Sequence, residues 1–376
     1  MKTWLRRRAH RIFHPLAGAD PATLAAVLRE GGGVAPLQLH RVATALGSAA
    51  IRTPFDLLER RAVGREAGKG PEAGATPPLF ILGHWRSGTT HLLNVLSQDP
   101  RFAAPTPLDV GLPWSVLGLS LFWRTRLEDW LPPDRIIDRM PVTPDAPQED
   151  ELALALMQPL SYYHGIFFPK RLEPAFRQGV LFEDCAPEAL ERWRRCLALF
   201  LAKLELRHGG RRLLVKNPAH TAKVAHLRAL WPDAAFVHIH RDPYEVYAST
   251  GRMLRTLLRE FALQRHDPAA VDGLVLDLYP RMMERFDRDT AGLPPDRFAE
   301  IRYEDFTADP LGQLESLYDR LRLGSFAEAR PAFESYLDGL RGYRRRHHAG
   351  TADAAPDVLA RWGFAFDRWA YPRRGA

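Results

Sequence analysis

Residues 77–93, PPLFILGHWRSGTTHLL, prescribe a strand, a tight glycine-bounded turn and the start of a helix, and this succession confines the chain to a small group of α/β folds. Leu79, Phe80, Ile81 and Leu82 form a short unbroken apolar run, the pattern of a central parallel strand covered on both faces. Gly83 to Thr90 then spells G-x-x-x-x-G-T-T, the spacing of a nucleotide-binding loop G-x-x-x-x-G-K-[ST] in which Thr89 stands where the lysine should be. Backbone N–H groups at the start of the helix can still hold a phosphate oxygen. The charge that would reach a β/γ bridge is missing, and Arg86 supplies a cation earlier in the loop.

That difference separates two chemistries. Cleaving a triphosphate calls for the lysine and for a Mg²⁺ carboxylate at the end of a second apolar strand. The second clear apolar run, Ala235 to Ile239, ends instead in His240-Arg241-Asp242-Pro243, so a cation is expected over its carboxyl end. A P-loop phosphotransferase is therefore the runner-up reading.

Arg86-Ser87-Gly88-Thr89-Thr90, followed far downstream by Arg241 and, eight residues on, Ser249, resembles the sulfotransferases that use 3′-phosphoadenosine 5′-phosphosulfate, in particular their bacterial branch. Two further blocks match in order: Leu213 to Pro218, LLVKNP, and Arg302 to Pro310, RYEDFTADP. The resemblance covers residues 77–323 in separated blocks and implies a P-loop-like three-layer α/β/α fold with a parallel sheet of about five strands. It also implies that Arg86, Ser87, Gly88, Thr89 and Thr90 hold the 5′-phosphosulfate, that Arg241 and Ser249 hold the 3′-phosphate, and that Tyr303 lies near the nucleotide. No metal is expected, because cations take its role in sulfuryl transfer.

The residues make physical sense on their own. Asp242 is suited to cap a helix with Pro243 at its first position, and Val246, Thr250, Met253, Leu254, Leu257, Leu258 and Phe261 recur at helical spacing. Ser249 then lies two turns into a helix that starts beside Arg241, and a guanidinium with a hydroxyl suits a phosphate monoester. Lys216, one of six lysines in an arginine-dominated chain, closes the apolar run Leu213-Leu214-Val215. The resemblance places its counterpart against the transferring sulfonate, where negative charge grows on the departing oxygen.

The general base is open at this level. Many family members carry a histidine two residues after the lysine; here Pro218 holds that position and His220 is the nearest histidine. The rival is Glu149 in the acidic run Gln148-Glu149-Asp150-Glu151, with His84 a third candidate. Following Lys216 by four residues gives His220 the edge. Adenine stacking is equally open: where relatives place a tryptophan after the two threonines this chain has His91, and Trp85 is the nearest alternative. The basic tract Tyr343 to His348 is either a 3′-phosphate clamp or a solvated charge run.

With 376 residues, 46% of them hydrophobic, the chain can bury a large core. The scattered blocks point to one sulfotransferase domain over 77–376, with a helical insertion over 111–207 and a helical C-terminal tail, preceded by an N-terminal helical segment and linker over 1–76. Net charge is +7, yet the basic residues are interleaved with 45 Asp plus Glu and no nucleic-acid motif accompanies them. The expected partner is a small-molecule or lipid acceptor, without nucleic acid, and the oligomeric state is open. Two cysteines make no disulfide framework, and a cytoplasmic location is expected. Residues 1–16 interleave Trp4, Leu5, Ile12, Phe13 and Leu16 with Lys2, Arg6, Arg7, Arg8 and Arg11, which suits either a peripheral membrane contact or a docked helix. The apolar stretch Leu112 to Trp123 is short for a membrane span. A non-catalytic nucleotide-binding or membrane-associated module is the third reading.

Overall fold

The computed structural model describes residues 14–67, 76–118, 143–340 and 355–374. Residues 1–13, most of the linker, 119–123 of the apolar stretch and the tract 343–348 lie outside the described residues. The chain divides into two compact units: residues 77–103, 212–252 and 269–376 form a sheet unit, and residues 1–76, 104–211 and 253–268 a helical unit.

The sheet unit is built on five parallel strands in the order β2-β3-β1-β4-β5, with β1 Leu79–Leu82, β2 Phe102–Ala103, β3 Arg212–Lys216, β4 Ala235–His240 and β5 Phe298–Arg302. All four residues of β1 are fully buried, as its unbroken apolar run requires of a central strand. Because β3 pairs along one edge of β1 and β4 along the other, the loops leaving three carboxyl ends converge, the place where open α/β sheets bind ligands.

The helices of this unit that frame the site are α1 Thr89–Leu96, α2 Val224–Leu230, α3 Pro243–Phe261, α4 Ala270–Thr290, α5 Tyr303–Ala308 and α6 Ala355–Trp369. Helix α3 counts with the helical unit from Met253 onward. Strand alternation sorts the side chains. Phe80 and Phe236 stack with centroids 5.5 Å apart, and His238 on the same face of β4 lies 4.1 Å from the Phe286 ring of α4. Ile81 and its register partner Lys216 belong to the opposite face.

The helical unit gathers the helices Pro21–Glu30, Leu39–Ala67, Pro107–Gly111, Glu151–Met157, Tyr163–Phe167, Leu172–Leu181 and Pro187–His208. Its core is apolar around Trp193, Phe176 and Phe200, and it also holds ion pairs. Lys203 is fully buried yet satisfied, with its Nζ 2.9 Å from Glu59 Oε1 and 3.0 Å from the Pro113 and Trp114 carbonyls.

Candidate active site

The turn between β1 and α1 has the backbone its sequence calls for. Gly83 and Gly88 have φ of 146° and 109°, in the region that side chains avoid. A Cβ on Gly88 would stand 2.3 Å from the Tyr303 ring, and one on Gly83 would stand 2.5 Å from the Ile239 carbonyl. Both glycines are therefore demanded by close approach as well as by angle. Arg86 also has positive φ, 70°, an uncommon geometry for a side chain that long and one that collects at ligand-binding turns. Gly88 caps α1 without a side-chain bond, so the first-turn N–H groups of Thr89 and Thr90 have no intrahelical acceptor. Ser87 Oγ is buried and has no hydrogen-bond partner among the described residues. An anion in the turn would satisfy these donors together.

The second half of the cradle comes from β4 and α3. Asp242 caps α3 by accepting from the Tyr244 N–H at 2.8 Å, with Pro243 next in line, and this fixes the step from strand to helix. Ser249 Oγ accepts from Arg86 Nε at 3.0 Å, and Arg241 Nη1 donates to the Arg86 carbonyl at 3.4 Å. Arg241 lies 4.7 Å above the Tyr303 ring at the start of α5 and 3.6 Å from Glu245. The structure thus brings Arg86, Arg241, Ser249 and Tyr303 together around one turn, although they lie up to 217 positions apart in sequence. Two supports had no signal in the sequence. The Thr221 hydroxyl accepts from the Gly83 N–H at 2.8 Å, and the Thr250 hydroxyl donates to the Trp85 carbonyl at 3.1 Å.

Lys216 ends β3, in register with Ile81, and is 3% exposed. His220 follows in the 3₁₀ turn Pro218–Ala222, capped by the Asn217 side chain. Its ring is fully buried and meets Phe80 edge-on at 6.0 Å, so it packs on the sheet face opposite that of Ile81. Lys223, wholly buried where this turn meets α2, was not singled out by sequence reading.

His84 is enclosed by Trp85, Tyr279 and Trp362, donates Nδ1–H to the Trp85 carbonyl at 3.0 Å, and is pushed down to about 3 by burial. Such a weak, enclosed base is a poor proton acceptor. Trp85, 4% exposed, is packed in the same cluster rather than presented to a base.

Glu149 is in the helical unit and half-buried. Its Oε1 accepts from the Tyr163 hydroxyl at 3.1 Å and faces the Tyr162 hydroxyl at 3.5 Å. Burial and then the Glu149 charge push the Tyr163 phenol well above its usual value, which keeps it a donor to that carboxylate. The neighbouring Asp150 and Glu151 are fully buried, with Ser161 Oγ donating to Glu151 at 2.6 Å.

Two expected results follow from this geometry. Gly88→Ala, with its left-handed φ and the Tyr303 ring in the way, should cost about 1–3 kcal/mol of stability and weaken binding of an anion in the turn at least roughly tenfold; thermal melting and phosphate titration by calorimetry check both. His84 stays neutral in the folded chain and can charge once unfolded, so its contribution is present above the unfolded value near 6.5 and is lost as pH falls from there toward about 3. By pH 5 the loss is about 2 kcal/mol, read as a drop in denaturant midpoint that flattens in His84→Gln.

The fold and the turn place two arginines, a serine hydroxyl and first-turn N–H groups together, an arrangement suited to holding an anion. The chain belongs to the sulfotransferase family: the family profile described as "Sulfotransferase family" matches residues 77–328. It is 35% identical over 299 residues to the Omega-hydroxy-beta-dihydromenaquinone-9 sulfotransferase Stf3 of Mycobacterium bovis and to the protein of the same name from Mycobacterium tuberculosis, covering 80% of this chain and 76% of each relative. Among solved structures, sulfotransferase STF9 from Mycobacterium avium is similar in fold with a TM-score of 0.65 at 16% identity, covering 96% of this chain and 98% of that one. Sulfotransferase STF1 from Mycobacterium tuberculosis has a TM-score of 0.59 at 21% identity, with 84% and 85% covered.

Proposed function

We propose that this sulfotransferase moves a sulfuryl group from 3′-phosphoadenosine 5′-phosphosulfate to a hydroxyl on a lipid acceptor. The observation that carries the donor assignment is the convergence of Arg86, Arg241 and Ser249 beside a turn whose Gly88 admits no side chain. That arrangement offers two anion positions. The turn's N–H groups, with Ser87 Oγ, suit the 5′-phosphosulfate, and Arg241 with Ser249 suits the 3′-phosphate. The lipid class follows from the relatives named for a menaquinone-type acceptor, to which this chain is 35% identical.

In-line transfer breaks the bond from sulfur to the phosphate oxygen and forms one from sulfur to the acceptor oxygen, whose proton must leave. Lys216 is read as the charge that stabilises the departing phosphate oxygen: a buried ammonium acts more strongly than one in water. Glu149 is read as the proton acceptor. Glu149 is a half-buried carboxylate steadied by a tyrosine hydroxyl, a form that can take a proton, whereas the His220 ring packs edge-on against Phe80, on the sheet face opposite that of Ile81. These roles are supported by each residue's own surroundings.

The test is turnover with radiolabelled donor and fractionated lipid extracts. The account predicts label in a solvent-extractable lipid that depends on Lys216. Label only in water-soluble products would overturn the acceptor class and leave the donor assignment standing.

A further inference from the structure

Helix Leu39–Ala67 of the helical unit buries polar and charged groups beside Ala45, Ala49 and Val63 and leaves its large apolar side chains exposed. Taken at about 100° per residue, one half carries Arg41, Ser48, Arg52, Asp56 and Glu59, and this half is turned inward. Its charged groups are paired there: Arg41 donates to the Glu260 carbonyl at 2.9 Å, Arg52 to the Ala17 and Ala19 carbonyls at 2.8 Å, and Glu59 pairs with Lys203. The large exposed apolar side chains of the helix fall in two strips at that spacing, Leu39, Leu46 and Leu57 in one and Ile51, Phe55 and Leu58 in the other, with Ile51 73% and Leu58 65% exposed. This exposed apolar surface runs about 30 Å along the helix. Leu37, 85% exposed, extends it at the N-terminal end.

The charge pattern names the occupant. Among the described side chains of this helix the two carboxylates, Asp56 and Glu59, are buried, at 3% and 8% exposure, so no described negative side chain accompanies the exposed apolar ones. The exposed ionisable residues among these described side chains, His40 and Arg61, are basic. The 13 residues before His14 carry Lys2, Arg6, Arg7, Arg8 and Arg11 and no carboxylate. They join the unit at the turn Pro15–Gly18, which is bonded to this same helix through Ser48 and Arg52. Apolar anchors next to a polybasic segment are the two signals that together hold a protein on an anionic bilayer. A second copy fits less well, because a self-complementary contact would bring like charges together. No helix among the described residues is long and apolar enough to cross a membrane.

We infer that the outer face of helix Leu39–Ala67 is a docking surface for an anionic lipid bilayer, in which Ile51, Phe55 and Leu58 insert among the headgroups. The experiment is flotation of the full chain with phosphatidylglycerol–phosphatidylcholine vesicles. The wild type is expected to float with them and to float less as salt rises. Ile51→Glu with Leu58→Glu should lower the vesicle partition at least roughly tenfold, and Ile51→Ser with Leu58→Ser, which adds no charge, should also lower it, both with unchanged melting temperature. A wild type that stays at the bottom of the gradient overturns the inference, as does a double serine variant that floats like wild type. A dimer that the glutamate variant dissociates, without vesicle binding, would instead assign the face to a second copy. Flotation is read without donor or acceptor, so its failure leaves the proposed transfer reaction untouched.

Discussion

Replacing Glu149 with glutamine should lower kcat/KM by about 10²–10⁴-fold, the usual worth of a positioned general base, while the donor nucleotide still binds with near wild-type affinity. Glutamine keeps the size and can still accept from the Tyr163 hydroxyl, so the local packing is preserved and only the proposed proton acceptor is removed. The acid limb of the kcat/KM profile should disappear in this variant. His220→Ala is the necessary comparison. Its loss should show first as reduced stability, because the ring fills a buried space against Phe80. Near wild-type turnover in Glu149→Gln together with a rate collapse in a fully folded His220→Ala would hand the role back to the histidine.

The places these two residues take in the fold mark how far the sequence could be read. The glycine-bounded turn was legible because its constraints are local: an apolar run that must be a covered strand, glycines at fixed spacing, and a Pro after a capping Asp. Strand β1, the turn, β4 and the start of α3 all appear where those signals place them. The five-stranded parallel sheet follows from the family resemblance and is present in the structure. Spacing alone could not foresee that Pro218 would open a 3₁₀ turn and carry His220 to the face of Phe80, away from the side of the sheet that Lys216 shares with Ile81. Four positions of sequence separation say nothing about which face a side chain takes once the strand has ended. Thr221 and Thr250 were invisible for a related reason. Each acts through one hydrogen bond to a backbone group more than 130 positions away, a contact that leaves no periodic trace. The acidic run could be read as first-turn carboxylates facing the helix dipole; in the structure Asp150 and Glu151 are fully buried and Glu149 is the half-buried member, bound to Tyr163.

Lys216→Ala should reduce kcat by about 10²–10³-fold with little change in donor-product affinity, the size of effect seen when one donor to a developing oxyanion is removed. The lysine is 3% exposed at the end of a strand, so its ammonium works in a medium that screens weakly. Lys216→Arg should rescue poorly, because a planar fork cannot occupy the position of a compact ammonium in a packed site. Single-turnover rates with saturating donor separate this from a binding defect. If kcat is unchanged and donor affinity alone falls, Lys216 belongs to the nucleotide cradle and the charge on the departing oxygen is stabilised elsewhere.

The central claim is that the turn at Gly83–Thr90, with Arg241 and Ser249, holds a 3′-phosphorylated adenosine donor without a metal ion. Calorimetric titration of the intact chain with adenosine 3′,5′-bisphosphate in excess chelator, set beside ATP with Mg²⁺, tests it most directly. The account predicts saturable binding of the bisphosphate that chelator does not weaken, and that Arg241→Ala reduces by about 1.5–3 kcal/mol, the worth of a charged hydrogen bond. Tight binding seen only with ATP and Mg²⁺ would contradict it.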